Sequence, residues 1–250
     1  MIDFFFKRKQ RTVDCFTDDP SAYEYHAITP AIEFYPEWWK KMPGQQPVPD
    51  KNGLTVDTPT IKKCIGFMNL YQKGVVLPLW SSIVIETSSN NYRYSFAKQH
   101  FNKDLPLADY HPEWQTGPAF DNFLHMKLGS PWFLMQNKYC EYLFQPMTWN
   151  TIDAWHQYTV LPGIMDFKYQ NSTNVNLFLE KNSRINIEAG TPMYQIIPVT
   201  DDDIIFKNHL VDSNEINKIY HNRYGSYSNS YKNKKKFHES KSQCPFRLFK

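Results

Sequence analysis

A chain of 250 residues, 41% hydrophobic and 16% aromatic, carries enough apolar surface to bury a sizeable core, while nine glycines leave little for a glycine-rich nucleotide cradle. The net charge of +3 hides a division. From Ser226 onward seven Lys or Arg stand against Glu239 alone, so the preceding residues hold 21 basic and 24 acidic side chains and are mildly acidic. Nucleic-acid binding by the body is not indicated, and any attraction for phosphate is confined to the tail.

Cys15, Cys64, Cys140 and Cys244 are far apart with no C-x-x-C pair, a pattern of reduced thiols that argues against a disulfide scaffold or a closed zinc site. MIDFFFKRKQR, at the N-terminus, has too short an apolar patch for a signal peptide. No run of about 18 apolar residues occurs, so neither secretion by a signal peptide nor a membrane partner is expected.

In chain order, Ile2–Phe6 reads as an edge strand and 11–28 as irregular and turn-rich. Pro36 opens a short helical turn, with Glu37 near its positive end and Lys40 and Lys41 near its negative end, and Pro43 closes it. Of Trp38 and Trp39, one is expected to plug the core and the other to cover a groove. Residues 44–59 read as a long loop. Thr60–Leu70 has Ile61, Cys64, Ile65, Phe67 and Met68 at helical spacing, weakened by Gly66. Val75–Leu77 and Ile83–Ile85 are strands separated by Pro78, and Tyr92–Phe96 is placed to pair back across Ser88–Asn91.

Residues 97–128 read as a long excursion. Strands return at 131–136, 141–146, 158–161, 164–169 and 174–180, with Asn137–Tyr139 hairpin-sized. Next, 184–188 and 193–199 alternate apolar and polar side chains around a turn holding Gly190 and Pro192, which predicts a core hairpin closing the sheet. Asp212-x-x-Glu215 has the form of a helix start. Ile216, Ile219, Tyr220 and Arg223 follow at helical spacing, with Gly225 to end it. Together these predict a mainly β protein, a single β-sandwich or jelly-roll-like domain over 1–210 with a short N-terminal helical turn. A C-terminal helix over 211–225 and a basic, flexible tail over 226–250 complete it.

Several short motifs stand along the chain: Pro36-Glu37-Trp38-Trp39-Lys40, Lys63-Cys64, Leu77-Pro78-Leu79-Trp80, Pro131-Trp132, and Gly190-Thr191-Pro192 with Gln195-Ile196-Ile197-Pro198. In order and spacing they resemble an uncharacterised family carried by tailed phages, many infecting marine cyanobacteria, with relatives in bacteria. The chain departs from that pattern after Cys64, where Ile65-Gly66 stand in place of a proline. The resemblance implies a phage origin and no chemistry. It places the protein in the infected host's cytoplasm or in the virion.

His111-Pro112-Glu113 is the sharpest catalytic candidate. A His-x-acid pair with a distant imidazole, His156 or His125, is the ligand pattern of non-haem iron sites and of cupin-like or oxygenase-like enzymes, with Fe2+ as cofactor. Against it, Pro112 removes a sheet N–H where such sites use a strand, and a loop His beside a proline explains the motif more simply. Asp166 and Asn176 are polar residues on apolar strands, explained equally well by a solvent-facing alternation. Asp153, His156 and Ser130 name a hydrolase triad on paper, without the G-x-S-x-G elbow.

Trp80 and Trp132 read as core. Trp114, Trp149 and Trp155 have loop-like neighbours and are placed to stack a base or a sugar, the latter as in a carbohydrate-binding module. Lys234, Lys235 and Lys236, with Phe246 and Phe249, would make the tail a docking peptide, against the plain reading of a solvated tail. With no motif of catalytic geometry, the expectation is a protein without cofactor that acts by binding a virion or host protein.

Overall fold

The computed structural model describes residues 9–97, 107–117 and 120–223, with backbone alone at 113, 116 and 220–223. The predicted strand Ile2–Phe6, Gly225 and the tail residues Lys234, Lys235, Lys236, Phe246 and Phe249 lie outside them. The protein is mainly β, but its strands form four separate sheets, and helices are interspersed along the chain. This corrects the expectation of a two-sheet sandwich or jelly roll with helices only near its ends.

The largest sheet is organised by β9 (Phe123–Met135), whose thirteen residues outrun any partner. Leu124, Met126 and Leu128 point into the core, and His125 and Lys127 point away. One edge of β9 is shared end to end by β8 (Ala108–His111) and β1 (Gln10–Thr17). Along the other edge runs β13 (Ser172–Glu180), followed by β11 (Tyr158–Val160). β16 (Asp203–Leu210) completes the sheet by pairing in parallel with β1. β1 is regular where an irregular segment is expected, because Arg11 and Asp14 obscure the inward set Val13, Cys15 and Thr17.

The second sheet has the order β12 (Gly163–Asp166), β10 (Glu141–Pro146), β15 (Pro192–Pro198), β5 (Val75–Pro78), β2 (Thr29–Pro30). In the third, β6 (Ile83–Thr87) lies between β14 (Arg184–Ile187) and β7 (Tyr92–Phe96), and the pairing of β6 with β7 across Ser88–Asn91 is as expected. Side chains from all three sheets meet in one core that includes Leu77, Trp80, Ile85, Trp132, Leu177 and Tyr194.

The predicted hairpin of 184–188 with 193–199 does not form. β14 pairs with β6 and β15 with β5, so the two strands belong to different sheets. Both ribbons bend together at one corner, where Pro192 faces Pro78. Neither proline has an N–H to carry the ladder onward, so pairing stops and restarts at an angle. Leu79 N–Thr191 O (2.8 Å) and Gly190 N–Leu79 O (2.7 Å) hydrogen bonds hold the corner. The expected hairpin at Asn137–Tyr139 fails likewise, since β9 and β10 lie in different sheets.

Among the helices, α1 (Pro20–Tyr25) was not anticipated. Asp19 caps it, accepting from the N–H groups of Ser21 and Ala22. α2 (Glu37–Lys41) and α3 (Ile65–Tyr71) occupy the predicted positions, and α4 (Glu113–Thr116) follows β8. α5 (Ser213–Arg223) starts as its capping pattern requires, with Asp212 Oδ1 accepting from Glu215 N at 2.9 Å. No helix among the described residues is long and apolar enough to cross a membrane.

Residues 44–59, read as a loop, contain the fourth sheet: β3 (Gln45–Pro49) and β4 (Thr55–Pro59) pair only with each other, and all ten strand residues are exposed. Pro47, Pro49 and Pro59 disguise the strand signal, yet strands with one open edge accommodate them.

Candidate functional site

Two surfaces stand out, and the first is the outward face of the largest sheet. Strand alternation sends His111 on β8, His125 and Lys127 on β9, and Asn174 and Asn176 on β13 to that face. The chain leaves β11 for β12 and lays Ile164 and Met165 alongside. Together with Gln170, all of these side chains except that of His125 line a cleft of about 350 Å³.

His111 and His125 are direct cross-strand neighbours, and their rings stack 4.4 Å apart at 29°. His111 Nδ1 lies 2.6 Å from Gln115 Oε1, which fixes the proton on Nδ1. Phe178 meets the His125 ring edge-on at 5.3 Å. Covered in this way, both His125 nitrogens are buried without a hydrogen bond of good geometry, although the Asn176 carboxamide is near enough to favour the charged ring. Burial first, and then the adjacent His111, hold the His125 pKa below the ordinary imidazole value of 6.5.

Of the iron candidates, His111 comes together with His125. His156 is exposed just before β11, three strands from β8 or about 14 Å at ordinary strand spacing. The side chain of Glu113 lies outside the described set. Stacked rings direct their lone pairs along near-parallel planes and not toward one point. Among the described residues no three His, Cys, Asp or Glu side chains gather where they could hold a metal ion.

Ser130 is buried and accepts from Trp132 N at 3.1 Å, whereas Asp153 and His156 are exposed. Asp166 is buried, with Oδ1 accepting from Tyr169 N at 3.0 Å to shape the turn into β13. Trp80 and Trp132 are buried in the core, as expected. Trp114 is 80% exposed and Trp155 53% exposed.

Trp149 belongs to the second surface, an aromatic base beneath the β3–β4 arm. It packs against Trp38 and Phe67, and Trp38 Nε1 donates to Trp149 O at 3.1 Å. Trp39 stacks on Tyr35 at 4.3 Å and on Phe67 at 5.6 Å. Both Trp38 and Trp39 are half-buried in this satellite cluster, so neither plugs the main core. Lys62 lies over the Trp39 ring and donates to Trp39 O and Lys40 O, tying the root of the arm to α2.

No protein-family model matches the chain, and no curated protein matches it in sequence.

Lys127, Asn174 and Gln170 carry no motif of their own, although the local pattern marks two of their strands. H-x-K on β9 and N-x-N on β13 are polar alternations whose apolar partners, Met126 and Val175, declare the core side. What the spacing lacked was the pairing of the two strands.

Proposed function

We propose that this protein works by binding a protein partner, as a phage-encoded virion component or a factor that meets a host protein in the infected cytoplasm. The arm carries the reading. A two-stranded hairpin is marginal in water unless a third strand or a packed face supports it. Here both strands are exposed throughout, with Val48 directly opposite Val56 and Leu54 on the same face. The tip is tightly built: Asp50 Oδ1 accepts from Asn52 N and Leu54 N at 2.8 Å each. Prolines at 47, 49 and 59 interrupt the N–H row and discourage indiscriminate strand addition, so the partner meets the side-chain face of the arm. The resemblance of the ordered motifs to the tailed-phage family supports the origin.

A photo-cross-linking residue in place of Val56, expressed during infection, tests this. A discrete cross-linked protein species is expected, and mass spectrometry of purified particles assigns it to virion or host. Cross-links spread evenly over abundant proteins, or none, would overturn the reading.

A further inference from the structure

The outward cleft takes its one ammonium from Lys127. Lys127 is half-buried and makes no ion pair among the described residues. Asp109 sits opposite it in the strand register, but Asp109 Oδ1 accepts from Tyr110 N at 2.8 Å and does not bridge to it. No carboxylate lines the cleft. The cleft therefore presents a positive charge and no negative one to whatever enters it.

Around Lys127 the amides of Asn174 and Asn176 can donate to an oxyanion. Asn176 neighbours Lys127 in the pairing of β9 with β13, and Asn174 lies one alternation further along. Asn174 Nδ2 makes only a long bond, 3.4 Å to Ser172 Oγ. On the opposite wall Ile164 is largely exposed beside Met165, an apolar surface facing a polar floor. The volume is that of a small-molecule site.

We propose that this cleft binds a small organic oxyanion, a phosphate or carboxylate carried on an apolar group, with Lys127, Asn174 and Asn176 holding the anion and Ile164 and Met165 the apolar part. The site lies on the large sheet and owes nothing to the β3–β4 arm.

Calorimetric titration of the full chain with phenyl phosphate, phenylacetate and benzyl alcohol tests it, alongside NMR of the Asn174 and Asn176 amides and the His125 ring. Saturable binding of at least one anion at millimolar or lower concentration is expected, with shifts at those three residues and much weaker binding of the alcohol. Binding of one anion and not the other upholds the site and fixes its class. Lys127→Gln, on a surface strand position, keeps the melting temperature and weakens anion binding about tenfold, while Lys127→Arg restores most of it. Neither anion binding, equal binding of benzyl alcohol, or unchanged affinity in a folded Lys127→Gln would each overturn the proposal. A chain lacking 45–59 binds the anion as the full chain does, so failure here and failure of the arm are told apart.

Discussion

Gly74 turns with φ +68°, and a Cβ there would lie 2.1 Å from the Ile196 carbonyl oxygen. Both the left-handed backbone and the close approach exclude a side chain. Gly74→Ala is expected to cost about 3 kcal/mol, lowering the unfolding midpoint by roughly 6–12 °C in a thermal melt. Nearby, the buried Gln195 spans two elements, its Nε2 donating to Leu70 O (2.6 Å) and Lys73 O (2.7 Å) at the end of α3. Gln195→Leu leaves those carbonyls without that donor and should cost about 2–4 kcal/mol, measurable by denaturant unfolding.

His125 introduces a pH dependence. Its folded pKa is lowered, so as pH falls below 6.5 the unfolded chain takes up a proton that the folded ring resists. The stability this residue contributes is whole above that pH and is lost as the pH falls through the folded value. Melting temperatures followed from about pH 7.5 to about pH 5 should fall less steeply in His125→Leu than in the parent chain.

Among the elements, the arm and the corner behave oppositely. The arm begins and ends at one place, where Thr60 N donates to Gly44 O at 3.2 Å and Thr60 Oγ1 to Pro43 O at 2.6 Å. Replacing 45–59 with a short flexible link should leave the melting temperature within about 2 °C of the parent, because surface not buried in the fold contributes little to it. Amides of β3 and β4 should also exchange with solvent far sooner than those of β9 and β13. A large loss of stability on excision would show that the arm supports the body. By contrast, the corner at Pro78 and Pro192 joins two sheets around buried side chains. Ile216, fully buried on α5, docks that helix against the body, and Ile216→Ala should cost about 2–4 kcal/mol by chemical denaturation.

At the scale of the molecule, β1 is paired along its full length with β16, nearly 200 residues later in the chain. Truncation after residue 200 would remove β16 and uncover one edge of β1, leaving a long unpaired strand edge prone to association. Such a truncated chain should elute as aggregate in size-exclusion chromatography. Pairings so distant in sequence also favour slow refolding, on the scale of milliseconds to seconds by stopped-flow fluorescence of the buried tryptophans.

Local pattern was enough to define most strands, α2, α3 and α5, the mainly β character, and the burial of Trp80 and Trp132. These features follow from side-chain alternation, proline placement and capping, all recorded within a few residues. The chain by itself did not determine which strands are partners: 184–188 and 193–199 alternate as hairpin strands do, yet they serve different sheets because two prolines meet across a ladder. Nor did it disclose the cleft, whose His111, Lys127, Asn176 and Ile164 come from four strands. Strand pairing is a long-range choice made by the shared core, and only the tertiary structure, by setting β8, β9 and β13 side by side, brought those polar side chains onto one face.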